Sequence, residues 1–268
     1  MVAPRRIVPV LSPEEHASMQ AIAHRAHLTY HAGKLLTAVE VYTIFWGTAW
    51  QQPEQSGLIP RLNQFFDTIL TSSLIDLLHE YNVPGQMIGH GKRIGTTTLA
   101  SEPGQLQAGG SREVTDQAVQ QALQMWIANG TVPQPTANTL YFVYLPPRVT
   151  SLLDNVGSCQ PGGFCGYHHD INGSIFYAVE PFITCAGCEF GSGIFDSLTK
   201  VSSHELCEAI TDPAGTGWFD DMTGGNEIGD ICNSTVQKLG QYTIQAEWSN
   251  HAKRCVVAPP PGRQMAAR

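Results

Sequence analysis

Residues 201–233, VSSHELCEAITDPAGTGWFDDMTGGNEIGDICN, carry the side chains of this sequence best suited to chemistry. His204 and Glu208 stand four residues apart, so on a helix both project from one face. An imidazole nitrogen and a carboxylate oxygen so placed can grip one small cation. Glu205 lies on the adjoining edge, within reach of a metal-bound water. The pattern is an HExxH zinc site with glutamate in place of the second histidine, an exchange zinc tolerates because carboxylates are ordinary zinc ligands. A catalytic zinc needs a third protein ligand and an open position. Glu227 is the expected third ligand, with Asp230 and Asp220 as further candidates for ligand or supporting roles and Asp212 and His169 as competitors. Tyr167, His168 and His169 follow a Gly-Gly-Phe-Cys-Gly turn, where a Tyr or His could stabilise an oxyanion, with His169 as the candidate, an expectation set against a plain loop pair bonded to backbone. The Asp- and Gly-rich run from Asp220 to Asp230 also suits an additional structural Ca2+, although it lacks EF-hand spacing. Ser202 and Ser203 have no nucleophile elbow around them, so a serine hydrolase is a poor reading.

These residues need a rigid frame. The active helix is expected from about Phe195 to Thr211, stopped by Asp212-Pro213. Val39–Trp46 is rich in β-branched and aromatic residues and reads as a core strand. Arg61–Tyr81 places Leu62, Phe65, Phe66, Ile69, Leu70, Leu74, Leu77 and Leu78 on one helical face. Ser111–Ala128 reads as a second helix, Leu140–Leu145 and Ser174–Val179 as strands, and Gln241–Trp248 as a late strand. A short helix is expected over Pro13–His24, and residues 85–110 read as loop with one short strand. The fold class is α+β (or α/β): a mixed sheet with a backing helix, an active-site helix and an irregular, disulfide-stapled C-terminal part. The division is 1–27 as an N-terminal extension, 28–258 as a single catalytic domain with upper part 28–211 and lower part 212–258, and 259–268 as a flexible tail.

With 268 residues the chain is long enough to bury a sizeable core, and its 42% hydrophobic and 14% charged residues fit a folded, loop-rich protein. A formal charge of −8, with no basic stripe, excludes a nucleic-acid partner. No apolar run is long enough to span a bilayer, so no membrane partner is expected, and the start of the sequence shows no signal peptide. Cysteine usage points the other way, to a secreted protein: Cys159, Cys165, Cys185, Cys188, Cys232 and Cys255 lie in loops or at strand ends. The pairs expected are Cys159–Cys165, Cys185–Cys188 and Cys232–Cys255, with a second zinc site as the rival use of the short pairs. Cys207, inside the active helix, is expected to be a buried free thiol.

Two resemblances follow. The letters N-E-x-x-D at 226–230, placed after the helix, resemble the gluzincin metallopeptidases, in which a later glutamate completes the zinc site; the zincin fold and Glu227 as ligand are what this resemblance implies. More broadly, LTYHAGKLLT, VEVYTIFWG, CQPGGFCGYHH, IFYAVEP, SHELCEAITDP, GWFDD and EIGDIC resemble the phosphate-induced protein, or Exordium-like, family, whose plant members are secreted. Together these readings imply a zinc metallopeptidase acting on a peptide or protein substrate. His204, Glu208 and Glu227 would hold Zn2+, and Glu205 would serve as general base. The alternative is a non-catalytic secreted protein of Exordium-like type that binds metal or carbohydrate.

Overall fold

The computed structural model describes residues 6–10, 12, 14, 25–191, 193–222 and 224–259. The helix expected over Pro13–His24 and the tail beyond 259 fall almost wholly outside those residues.

The frame is a six-stranded sheet of β1 (Ile7–Pro9), β2 (Glu40–Trp46), β3 (Lys92–Leu99), β4 (Thr139–Tyr144), β5 (Phe164–Ile171) and β6 (Ile175–Glu180). Its spatial order is β1-β5-β6-β4-β2-β3. The four strands from β6 to β3 are mutually parallel, and β5 and β1 add antiparallel pairs at the far edge. Parallel strands need crossovers, and two are helical: α1 (Leu58–Ile69) joins β2 to β3, and α2 (Asp116–Ala128) joins β3 to β4. β2 and β4 read as nearly continuous apolar runs because both their faces are covered. One face carries Val41, Phe45, Leu140, Phe142 and Ala178 against α1 and a long helix, α3 (Ile194–Thr211). The other carries Tyr42, Ile44, Tyr141, Val143 and Val179 against Val119, Leu123 and Trp126 of α2. The architecture is mixed α and β, as expected.

Several boundaries differ from the sequence reading for identifiable reasons. The helix expected over Arg61–Tyr81 stops at Ile69, and a short one restarts at Ser73, because the Ser72 side chain caps it by accepting from the Leu74 amide at 3.3 Å. Thr115 caps α2 in the same way, through the Ala118 amide at 3.2 Å, so Arg112–Thr115 is a strand of a small second sheet rather than helix. The region read as mostly loop contains β3, an edge strand of Lys, Thr and Gly whose pattern carries little hydrophobic signal. Residues 7–9, expected in a separate extension, belong to the main sheet. The late strand is two: β8 (Tyr242–Gln245), paired with β7 (Val236–Leu239), and β9 (Glu247–Ser249), paired with β10 (Arg254–Val256).

The three disulfides are Cys159–Cys185, Cys165–Cys188 and Cys232–Cys255. Only the last was paired correctly from the sequence. The other two run from the β5 region to the loop before α3 rather than between near neighbours, because β5 holds Cys165 in extended backbone directed at that loop. Cys207 is free and buried, as expected.

Candidate metal centre

α3 is buried on every side from Ser197 to Thr211, which for a helix this polar is unusual. β5 and β6 pack on one side, and α1 and β8 pack elsewhere around it. Its last residue, Thr211, is followed by Asp212 in a non-helical conformation, φ −150° and ψ 64°, ahead of Pro213, where the helix must end. The sequence therefore drives an apolar-backed helix into the core and carries His204, Glu205 and Glu208 in with it, all fully buried.

Two glycines let neighbouring backbone approach these side chains. β5 has an irregularity opposite β1, where Pro9 faces Phe164 and Val8 faces Gly166, so Cys165 is the extra residue. The bulge turns both Gly166 and His168 toward α3. A Cβ at Gly166 would lie 2.6 Å from the Val201 side chain and 3.3 Å from Glu205 Oε1. From the other side, a Cβ at Gly229 would sit 2.7 Å from His204 Nδ1 and 2.8 Å from its ring carbons.

The result is a wholly buried group of histidines and carboxylates: His168, His204, Glu205, Glu208, Asp212, Glu227 and Asp230. His204 Nε2 lies 2.9 Å from Glu208 Oε1 and 4.0 Å from Asp230 Oδ1. Despite the short distance, His204 Nε2 makes no hydrogen bond. The two atoms lie side by side, as donors to a common point do. His168 Nδ1 lies 3.0 Å from Glu205 Oε2 and 3.6 Å from Glu208 Oε2. Glu227 Oε2 is 3.7 Å from His168 Nε2. Two donor sets, His204–Glu208–Asp230 and His168–Glu205–Glu208, each bring three ligand atoms within 4.8 Å of one another. The mixture of imidazole and carboxylate donors suits zinc or a neighbouring first-row dication.

Burial dominates the electrostatics. Loss of solvent pushes Glu205, Glu208 and Glu227 well above the usual carboxylate range, and mutual repulsion adds to it. Burial lowers His168 well below its ordinary value, and burial together with Lys200 brings His204 down to about 4. Lys200, also buried, falls to about 7 through desolvation. Without a cation, the group is stable only with protons shared among its carboxylates.

Supporting contacts fix the histidines. His168 Nε2 is 3.2 Å from the Asp212 carbonyl, which can only accept, so that nitrogen carries the proton and Nδ1 presents its lone pair. Gln245 Nε2 donates to the Gly229 carbonyl at 2.7 Å and lies 2.8 Å from His204 Nδ1, while its Oε1 has no partner. As placed, the amide makes Nδ1 an acceptor; turning it over would let Oε1 accept from Nδ1–H and free Nε2 for a cation, but would set Oε1 against the Gly229 carbonyl.

His204, Glu205, Glu208, Glu227 and Asp230 are thus brought together. Asp230, rather than Glu227, shares a donor set with His204 and Glu208, while Glu227 faces His168. His169 is not in the group. Strand alternation turns it to the opposite face, where it stacks on Tyr177 and lines a cavity of about 320 Å³ with Arg6, Ile7 and Phe164. Its neighbour His168 takes the position facing α3, and a strand reading of FCGYHHDI with its bulge was the signal for it. Asp220 also lies apart, its carboxylate accepting from the amides of His27 and Met222. Asp212 holds the following turn through the amides of Thr216 and Gly217, both at 2.6 Å. Gln245 and Lys200 had no motif to mark them.

No family model matches the chain. The chain is similar to the protein EXORDIUM-like 5 of Arabidopsis thaliana, 21% identical over an alignment of 252 residues that covers 83% of this chain and 68% of that protein, which supports the relation read from the sequence motifs.

Proposed function

We propose that this protein is a non-catalytic, secreted binding protein of Exordium-like type, and that the buried group on α3 holds a divalent cation of the zinc class. The observation that carries the reading is that seven ionisable side chains, His204 and Glu208 among them, converge at 0–1% exposure, with buried donor atoms of His204, Glu205 and Glu208 lacking partners. Buried charges persist when they are paired or coordinate a metal. His204 and Glu208 would be ligands, with Asp230 as the third donor. The cation would compensate carboxylate charge and tie α3 to the turn at Gly229. Burial also argues against turnover, because a peptide has no path to these atoms without displacing packed chain. The three disulfides and the relation to EXORDIUM-like 5 support an extracellular setting. No helix among the described residues is long and apolar enough to cross a membrane.

A second reading, a zinc hydrolase with a peptide substrate, is favoured by one feature. Glu205 Oε1 is buried without a partner in the donor set that shares Glu208 with His204, and an unpaired carboxylate oxygen there can serve as a general base. Plasma mass spectrometry on wild type, His204→Ala and Glu208→Gln tests the site: bound zinc in the wild type, reduced in both variants, supports it, and wild type that takes up none, or variants that keep the full wild-type amount, overturn it. Incubating zinc-loaded protein with a peptide library separates the two readings. Cleavage abolished in Glu205→Gln would establish the hydrolase.

A further inference from the structure

We infer that the centre takes two divalent cations, bridged by the carboxylate of Glu208. The inference rests on the cation reading above and extends it from one ion to a pair.

The two oxygens of Glu208 face different partners. Oε1 lies 2.9 Å from His204 Nε2, and Oε2 lies 3.6 Å from His168 Nδ1. Each histidine belongs to its own donor set, and Glu208 is the residue the sets share. In the first, His204 Nε2 and Glu208 Oε1 stand side by side without hydrogen-bonding, and Asp230 completes three donors. In the second, the Asp212 carbonyl accepts a hydrogen bond from His168 Nε2–H, so the Nδ1 lone pair faces Glu205 Oε2, 3.0 Å away, and Glu208 Oε2. A lone pair held against two carboxylate oxygens needs a shared proton or a cation between them, and one cation there can replace the protons. Glu208 Oε2 and Glu205 Oε1 are fully buried without a hydrogen-bond partner, and Glu227 stands close enough to Glu208 and Asp212 to share protons with them when no cation is bound.

Charge points the same way. Glu205, Glu208, Asp212, Glu227 and Asp230 are buried together. One dication would leave three of these five charges uncompensated and two would leave one, beside the further buried carboxylates Glu180 and Glu247 and the buried Lys200, whose field acts on Glu247 first and on Glu205 next. Carboxylate-bridged ions stand about 3.5–4 Å apart, a spacing one glutamate can span. In this arrangement Glu205 is a ligand to the second ion.

The test is metal stoichiometry on the full chain, stripped by chelator and reloaded with Zn2+, with Mn2+ loading followed by electron paramagnetic resonance as a second readout. Two zinc ions per wild-type chain, one in His168→Ala and one in His204→Ala, are expected, together with a spin-coupled manganese pair that becomes an isolated ion in His168→Ala. The coupled signal needs only wild-type protein, so it stands if a variant fails to fold. One ion per wild-type chain, with no spin coupling and no change in His168→Ala, overturns the pair and leaves the single-cation reading intact. No bound metal in the wild type overturns both.

Discussion

A residue without a side chain controls the surroundings of His204. Gly229 has ordinary backbone angles, φ −80° and ψ −40°, so its backbone does not require glycine. What requires glycine is the ring of His204, less than 3 Å from where a Cβ would be. Gly229→Ala should therefore push the imidazole off its position and weaken zinc affinity by roughly 10–100-fold, the usual cost of disturbing a ligand's support. Gly57→Ala, at similar angles with nothing near the added methyl, should leave affinity unchanged. Competition titration with a chromophoric chelator measures both, and equal affinities in the two variants would sink the argument. The sequence showed His204, Glu205 and Glu208 plainly because helical spacing is a local property. It did not show which of two adjacent histidines faces the helix. That is decided by a one-residue bulge against β1, a partner far away in sequence.

At the level of elements, the position of α3 relative to β5 is held covalently. Cys159–Cys185 and Cys165–Cys188 fasten the segment just before α3 to the strand region that bears His168. Replacing Cys165 and Cys188 by alanine should cost about 2–4 kcal/mol in urea unfolding. It should also weaken metal uptake at the His168 donors more than at the His204 donors, because α3 itself remains helical. Equal loss at both would argue that the bridge acts on stability alone. Strands with strong apolar patterning, β2, β4 and β6, were legible from composition, as was α3. β3 was not, since its Lys, Thr and Gly residues form an edge whose order comes from parallel pairing with β2. The disulfide partners were also hidden, because pairing follows from which strand ends meet in space.

For the molecule as a whole, the buried group makes stability depend on pH and, on the proposed reading, on metal. Glutamates with raised values keep protons in the folded chain that the unfolded chain releases, so their contribution is full below their ordinary 4.5 and lost as pH rises. His204 acts oppositely: held down at about 4 against an ordinary 6.5, it costs stability as pH falls between those values. Metal-free protein should thus weaken as pH rises above neutrality, where a cation can replace the protons. Zinc at about 100 times its dissociation constant should add about 2.7 kcal/mol, or roughly 5–10 °C in melting temperature, at pH 7.5. The increment should shrink markedly at pH 5, where protons compete for the same oxygens. Melting curves at the two pH values, with and without zinc, check this, and an increment independent of pH would place the ion elsewhere.

The encasement of α3 also bears on biosynthesis. Its walls come from both directions along the chain: β1 from residues 7–9 and β8 from residues 242–245, with Cys232–Cys255 closing behind. A chain emerging from the ribosome can form the sheet and both crossover helices early, yet it presents His204 and Glu208 to solvent until the last of these segments arrives. The enclosure is therefore a late step of maturation, shared with formation of the final disulfide, so on the proposed reading the ligands would first form a complete set where that disulfide forms.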